Sequence, residues 1–404
     1  YMDGDKLYFR YYSLLAALTG SAMTMALADQ LLLFWGAWTI SDILLILLMV
    51  HKKEWKAATH SGYLAALTLI MGCISLFLGF YQLGLAHTIQ DLYTTRMLAI
   101  LPVALLMIAA LSQSAIWPFH RWLLSSLNSP TPVSALMHAG LVNGGGILII
   151  KFSPLFLQNP FFLNVIFVLG AFSAVIATIW KLMQPDIKKM LACSTLAQMG
   201  FMMMQCGLGL FAAAVAHLCW HGLFKAYLFL SSGSALTQNT NKARGVVNEK
   251  FVILISVVAG VLGALCFAWV SHKPFLSLQA STFVMLFAGL AGAQLMMSFI
   301  SQGMSGSKII LGLAMVAICG GLYGTSIHAI EQLLPLYSQV GNQHLSILHL
   351  LVMGIFTSGW IFFNTQAKKS WHESKLWCRL YMYLWHTSQP GSQTVTSLRK
   401  EYQY

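Results

Sequence analysis

Charged side chains are scarce in this chain, since Asp, Glu, Lys and Arg make up only 8% of its 404 residues. Soluble globular domains carry about 25% of these residue types. Hydrophobic residues replace them, making up 58% of the chain and giving it a mean hydropathy of +0.71. This composition excludes a soluble globular protein and predicts a polytopic membrane protein.

The apolar runs are about 20 residues long and lack the alternating pattern of membrane β-strands. Because only helices and closed barrels satisfy their backbone hydrogen bonds in lipid, the spans are expected to be helices. No Gly/Ser linker or low-complexity tract divides the chain. The sequence therefore predicts an all-α protein with one transmembrane domain over residues 1–366. A polar, cytoplasmic or interfacial tail follows over residues 367–404, either as a short amphipathic helix or without order.

The motifs of an enzyme are missing too, because the sequence shows no nucleophile motif, nucleotide-binding loop or metal-ligating constellation. The spacing of its seven cysteines suggests no disulfide or zinc framework. The run Gly144, Gly145 and Gly146 lies inside a span, which favours close helix packing over a phosphate-binding loop. We therefore expect a transporter subunit that carries no cofactor of its own.

Twelve spans are predicted, approximately at residues 8–27, 31–50, 61–83, 97–117, 132–152, 162–182, 188–208, 211–235, 250–270, 280–301, 307–330 and 345–365. This arrangement puts 19 of the 23 Lys and Arg residues on the side of the visible N-terminus. Arg96, Lys151 and Lys273 fall on the opposite side. The positive-inside rule makes the first side cytoplasmic and places both visible ends there. It also explains the net charge of +12 without a nucleic-acid partner.

One span, residues 213–231, carries three ionisable residues in its middle: His217, His221 and Lys225. Their spacing of four places all three along one helix face. Each costs roughly 2.5 to 3.5 kcal/mol on membrane insertion, and such residues usually mark an ion or proton path. The pattern favours a proton relay. Two alternatives stay open: neutral packing histidines beside a lysine that reaches an interface, and a His-x-x-x-His metal site.

Two segments are predicted to interrupt the regular helices. In QSAIWPFHRWLLSSLNSPTPVSALMHAG, three prolines break helical pairing, namely Pro118, Pro130 and Pro132. The second segment is HLCWHGLFKAYLFLSSGS, whose polar face requires a cavity. Broken helices beside buried ionisable groups are typical of transporters.

These segments carry a family resemblance. SAIWPFHRWL, SPTPVSALMHAG, DIKKMLACSTLAQMGFMMM and HLCWHGLFKAYLFLSSGS occur in the order found in the proton-translocating antiporter-like subunits of respiratory complex I and Mrp antiporters. The resemblance covers roughly residues 1–235 and fades beyond 250. It implies an antiporter-like fold with broken helices and inverted repeats, and it implies that about three helices preceding Tyr1 are missing.

Within this superfamily, HAGLVNGGGILIIKFSPLF and AQMGFMMMQCGLG resemble the DabB (MpsA-like) branch, the membrane subunits of inorganic carbon uptake systems. The resemblance implies a bacterial inner-membrane protein that moves protons or sodium. It also implies a large soluble DabA-like partner at the cytoplasmic face, whose zinc site resembles that of a β-carbonic anhydrase. The zinc is expected on that partner, not on this chain.

The family motifs imply proton-carrying roles for His138, Lys188, His217, His221 and Lys225. Desolvation favours the neutral form of a buried lysine, so such a lysine can exchange protons near neutral pH, as histidine does. The chain departs from the family at two positions, since Thr39 replaces the usual glutamate and Gln113 replaces the usual lysine.

Asp42 lies three residues after Thr39 on the same helix face and is a candidate substitute for the lost acid. Without a basic partner it would be protonated. Lys273 is the nearest candidate for the central lysine of the second half, but the topology puts it in an outer loop. No role is assigned to His328 or Glu331.

Three functions stay open at this point. The first is the membrane subunit of a carbon uptake complex, in which a His/Lys relay drives a carbonic-anhydrase-like partner. The second is a proton/sodium antiporter or a complex I-type pumping subunit, which would make the chain part of a quinone oxidoreductase. The third, suggested by the losses at Thr39 and Gln113, is a membrane anchor that conducts nothing.

Overall fold

A computed structural model describes residues 2–84, 88–94, 100–233, 249–275, 277–300, 305–334, 344–365 and 374–394. The first helices are α1 Tyr8–Leu27, α2 Leu31–Met49, α3 Lys56–Leu83, α4 Asp91–Thr94, α5 Ile100–Gln113, α6 Arg121–Leu124, α7 Thr131–Ala139, α8 Gly144–Lys151 and α9 Ser153–Leu157. They are followed by α10 Pro160–Met183, α11 Ile187–Gly207, α12 Phe211–Leu230, α13 Glu249–Val270, α14 Ala280–Ile300, α15 Gly306–Leu333, α16 Ile347–Asn364 and α17 Lys375–Thr387.

Each of the twelve predicted spans coincides with one helix or, for residues 132–152, with the pair α7 and α8. Within the described residues, nine helices are long and apolar enough to cross a membrane when Thr131–Lys151 is taken as one, and Ile100–Gln113 is a shorter apolar helix. The all-α membrane fold is thus confirmed. The count of twelve spans stays a prediction.

The chain forms two compact units. The first contains Tyr1–Gly207, His217–Ala235 and Tyr383–Tyr404, and the second contains Leu208–Ala216 and Leu236–Met382. Helix α12 therefore begins in the second unit and continues in the first. The expected boundary between a membrane domain and a tail at residues 366 and 367 stays a prediction.

In the first unit, α10 and α11 pack with their backbones in contact. A Cβ atom on Gly200 would lie 2.6 Å from the carbonyl oxygen of Gly170 and 2.6 Å from the backbone nitrogen of Ala174. Small residues allow this close approach in membranes, where apolar surface alone gives helices no reason to associate. The contact fixes α11, which carries Lys188 in its first turn.

The polypeptide between α5 and α7 is irregular, at the place where the prolines predict a break. Pro130 is the N-cap residue of α7, and Pro132 lies in its first turn, where its missing N–H costs nothing. The peptide bond between Trp117 and Pro118 is cis. Side chains satisfy backbone groups on either side: the Trp122 indole donates to the Ser112 carbonyl at 3.1 Å, and the Ser114 hydroxyl to the Val142 carbonyl at 2.7 Å.

A second break, which was not predicted, separates α7 from α8. A 3-10 turn at Leu141–Asn143 replaces the α-helix, and the Asn143 amide donates to the freed carbonyl of Ala139 at 2.8 Å. By contrast, α12 is continuous over Phe211–Leu230. The predicted interruption in HLCWHGLFKAYLFLSSGS is therefore wrong, because that segment contains no proline and the glycine inside the helix, Gly222, serves helix packing instead.

The chain after α17 docks onto the first unit through polar contacts. Gln184 donates to the Ser388 hydroxyl at 2.9 Å, Lys189 to the Gln389 side-chain oxygen at 3.2 Å, and Asn128 to the Thr394 carbonyl at 2.8 Å. The tail was expected to form either a short amphipathic helix or no ordered structure, and its residues 375–387 form a helix.

Candidate functional site

Helix α12 turns its polar face inward and its apolar face outward. Lys225 is 1% exposed, and His217 and His221 are buried, whereas Leu223 and Phe224 are 71% and 59% exposed. This is the reverse of a soluble helix and matches a helix whose outer face meets lipid. The three ionisable side chains predicted to share a face therefore do share it, and that face is enclosed by protein.

Lys225 ends in the protein interior. Its ammonium nitrogen donates to the Leu191 carbonyl of α11 at 3.1 Å. Leu191 also packs with Ala135 of α7 and Phe229 of α12 in one buried cluster. The lysine is therefore held among three helices and does not extend to an interface.

The two histidines of α12 lie one turn apart with nearly parallel rings, whose centroids are 5.8 Å apart and whose planes are inclined by 11°. Neither ring nitrogen of His221 has a hydrogen-bond partner among the described protein atoms. Buried polar atoms are usually hydrogen-bonded, and exceptions concentrate where chemistry takes place. Both nitrogens of His221 are thus available for exchange of a proton.

His138 stands at the end of α7, just before the second break. Its ring stacks on Phe229 of α12, with centroids 4.3 Å apart and an interplanar angle of 14°. It lies within electrostatic range of Lys225, His221 and Lys188. Gly222 permits this approach, because a Cβ atom there would lie 2.8 Å from the Ala139 carbonyl oxygen.

Lys188 is half-buried at the start of α11, and its ammonium nitrogen donates to the Ser129 carbonyl at 3.4 Å. It lines a polar cleft with an empty volume of about 1520 Å³ that also contains Asp5 and His51. These two residues pair at 3.1 Å. A hydrogen bond from the Leu7 backbone N–H, 2.8 Å long, holds the pKa of Asp5 below its usual value. Lys188 thus joins the buried groups to a charged cleft.

A second polar pair lies away from α12. The Gln113 amide, at the end of α5, donates to Oδ1 of Asp42 on α2 at 3.0 Å. The two side chains are 3% and 4% exposed. The motif comparison considered Gln113 only as a lost lysine and did not predict this pairing, which connects residues 71 positions apart. Asp42 is thus paired with a neutral amide and not with a cation.

Substituting Asp42 tests whether this pair conducts. Asp42→Asn is expected to keep transport within about twofold of wild type, because an amide pair retains a hydrogen bond without needing a charge. Gln113→Lys is also expected to be tolerated, since its ammonium would form an ion pair with Asp42. Transport rates of both variants, normalised to the amount of protein in the membrane, provide the measurement. Loss of transport in Asp42→Asn with normal membrane levels would make Asp42 an obligatory proton carrier.

Comparisons with known proteins agree with this architecture. The family model described as NADH:quinone oxidoreductase/Mrp antiporter, TM, matches residues 28–307, well beyond residue 235, where the motif resemblance ends. A solved structure described as an Mrp complex from Dietzia sp. DQ12-45-1b superposes with a TM-score of 0.53 at 20% identity. It covers 87% of this chain and 39% of that one. At that identity the likeness shows the fold alone.

Two curated relatives are informative. A Bacillus subtilis (strain 168) protein named "Probable inorganic carbon transporter subunit DabB" is 38% identical over 281 residues, covering 65% of this chain and 54% of the relative. A Halothiobacillus neapolitanus protein named "Probable inorganic carbon transporter subunit DabB1" is 33% identical over 328 residues, covering 73% and 58%. The chain spans somewhat more than half the length of these relatives.

The match of the family model over most of the chain, the two relatives above 30% identity and the antiporter-like fold agree with one another. This chain belongs to the transmembrane family of NADH:quinone oxidoreductase and Mrp antiporter subunits and is a multi-pass membrane protein.

Proposed function

We propose that this chain is the membrane subunit of an energy-coupled inorganic carbon uptake complex of the bacterial inner membrane. Protons move along the buried His/Lys face of α12 and drive a soluble DabA-like partner, which converts carbon dioxide to bicarbonate and holds the zinc. The two DabB-named relatives support the carbon substrate. The main support for the proton path is the enclosed position of Lys225, whose ammonium nitrogen donates a hydrogen bond to the Leu191 carbonyl at 3.1 Å.

The titratable side chains lie at increasing depth from the polar cleft along the proposed path. Lys188 lies at the polar cleft, Lys225 and His138 lie deeper, and His221 and His217 follow at one-turn intervals along α12, a rise of about 6 Å each. Proton transfer needs contacts of hydrogen-bond length or one intervening water. Side-chain rotation and water cover the remaining steps, as in other intramembrane proton relays.

The chemistry of these side chains favours protons over sodium. The path presents imidazole and amine nitrogens, whereas hard cations such as sodium take oxygen ligands. A lysine among them repels a metal cation whenever it is charged. Moving one proton through 100 mV yields about 2.3 kcal/mol. A tenfold concentration difference costs about 1.4 kcal/mol, so one proton sustains a useful gradient.

The partner is placed at the cytoplasmic face because the basic residues make the side of Lys188 and both visible termini cytoplasmic. Residues 388–394, which follow α17, contact Lys189 and Asn128 on this side. Thr394 thus lies beside Asn128, which lines the open cleft, and we infer that the soluble partner binds here.

Growth rescue tests the proposal. A carbonic-anhydrase-deficient bacterium that requires high carbon dioxide receives the gene together with the DabA-type gene of the same organism. Growth in ordinary air is expected with wild type and not with Lys225→Ala. Growth with both would show that the chain acts as a membrane anchor that conducts nothing. Growth with neither, together with sodium-dependent proton exchange in membrane vesicles, would favour the antiporter function of the Mrp relatives.

A further inference from the structure

An ion pair in the second unit joins the loop after α13 to the end of α15. The Lys273 ammonium donates to a carboxylate oxygen of Glu331 at 2.7 Å, and the two side chains are 22% and 15% exposed. They are separated by 58 positions in the sequence. The pair is mostly enclosed but still reaches water, as a group that exchanges protons with solvent must.

The backbone around Lys273 is built to make this contact. Helix α13 ends at Val270, and His272 adopts a left-handed conformation with φ of 52°, which is uncommon outside glycine. The Lys273 N–H then donates back to the Ala268 carbonyl at 3.1 Å. This tight reversal turns the chain back toward α15. Uncommon backbone conformations of this kind persist where the surrounding structure enforces them, often at functional sites.

Further titratable groups surround the pair. The rings of His272 and His328 meet edge to face with centroids 5.0 Å apart. His328 also shares a hydrogen bond of 2.9 Å with the Gln332 amide. One end of α13 and α15 thus gathers an amine, a carboxylate and two imidazoles. The topology predicted from the basic residues puts this end on the non-cytoplasmic side.

The pair lines a recess that reaches the start of α12. The recess has a cavity volume of about 20 Å³, and Ala212, Ala213, Ser281, Lys273 and Glu331 line it beside four larger apolar side chains. This volume is room for about one water molecule, for which Ser281, Lys273 and Glu331 are the polar partners. Ala213 precedes His217 by four residues, so it lies on the same helix face as His217, His221 and Lys225. The recess therefore meets α12 on its ionisable face, one turn before the first histidine.

We propose that Lys273 and Glu331 form the proton-exchange site at the non-cytoplasmic end of the α12 path. This inference rests on the proposed function and adds an entrance to it. A proton from the aqueous side neutralises the Glu331 carboxylate, leaving Lys273 charged. When the acid passes that proton onward through the recess, Glu331 returns to the anion paired with Lys273. Only O–H and N–H bonds form and break.

The occupant is a proton and not a metal cation. The one carboxylate of the pair already holds an ammonium group at 2.7 Å, so a metal cation would have to displace Lys273 against its charge. The rival explanation is a purely structural role, and it is the weaker one because partly exposed ion pairs add little net stability.

The double variant Lys273→Gln/Glu331→Gln separates the two roles, because paired amides keep a hydrogen bond while removing both exchangeable charges. The exchanged variant Lys273→Glu/Glu331→Lys keeps the ion pair and both titratable groups. Lys308→Gln, at the opposite end of α15, removes one charge as the matched control. Each is produced with the DabA-type partner and compared with wild type and Lys225→Ala. The measurements are air growth, proton uptake into membrane vesicles with a pH-sensitive dye, and the level and melting temperature of the complex.

We expect the glutamine pair to lower proton uptake by at least about tenfold, with the level and melting temperature of the complex unchanged. The exchanged pair and Lys308→Gln should keep uptake. Wild-type uptake in the glutamine pair overturns the exchange site, and parallel loss of uptake and complex level shows a structural clamp, which also overturns it. Undiminished uptake in Lys225→Ala overturns the proposed function itself, independently of the outcome at Lys273 and Glu331.

Discussion

Replacing Lys225 by methionine is expected to abolish proton transport while leaving the protein assembled in the membrane. The amine is 1% exposed and has a carbonyl partner in Leu191. Methionine fills a similar volume but carries no exchangeable proton, so the path from Lys188 toward His221 loses its middle group. We expect a loss of at least about tenfold in vesicle proton uptake, because a positioned acid or base typically contributes hundredfold or more.

The fold should tolerate this change, because burying an ammonium is costly and methionine removes that cost. Phe224, the preceding residue, is 59% exposed and provides the matched control. Phe224→Met should retain full transport. Lys225→Arg should also fail, because a guanidinium cannot be deprotonated in proteins. Transport by Lys225→Met at the wild-type rate would remove α12 as the proton path.

Replacing Gly145 by alanine is expected to prevent stable assembly. A Cβ atom at this position would overlap the carbonyl oxygen of Ala110 and the hydroxyl of Ser114. The carbonyl belongs to the helix backbone, so α5 and α8 would have to separate. Overpacking of this kind costs about 1 to 3 kcal/mol or more. The separation would also disturb the break that holds His138. The measurement is the amount of folded protein recovered from membranes and its melting temperature.

Gly36 in α2 is the control for this substitution, because a Cβ atom there meets nothing within 4 Å. Gly36→Ala should be neutral or slightly stabilising, since alanine is the better helix former by about 1 kcal/mol. Replacement of glycine by alanine is thus expected to lower stability at Gly145 and to leave it unchanged or raise it at Gly36. Equal stability of the two variants would show that α5 and α8 do not pack as closely as described.

Much of the fold was predictable because membrane helices are local structures. Lipid forces each span to satisfy its own backbone, so hydropathy alone located the helices to within a few residues, apart from longer shifts such as the start of α3. The shared face of His217, His221 and Lys225 followed from a spacing of four in one continuous helix. The irregular segment before α7 followed from its prolines, whose missing N–H groups act on the neighbouring turns.

The break between α7 and α8 was not predictable in the same way, because no proline marks it. It contains Gly140, and the Asn143 amide satisfies the carbonyl that the break leaves without a helical partner. A glycine within an apolar run is compatible with an intact helix, so the pattern alone could not distinguish packing from interruption. The wrong interruption in α12 had another origin, because it was predicted from the polar face of that segment. The continuous helix instead buries this face in the protein, and Gly222 only provides room for α7.

The sequence by itself determined the membrane class, the positions of the helices and the ionisable face of α12, since each depends on residues close together in the chain. Only the tertiary structure decided which partners the buried polar residues meet: Leu191 and His138 around Lys225, Gln113 beside Asp42, and Glu331 beside Lys273. These partners lie 34 to 87 positions apart. Sequence periodicity does not predict contacts over such separations, because they arise when helices pack and loops reverse the chain, and not from the pattern of neighbouring residues.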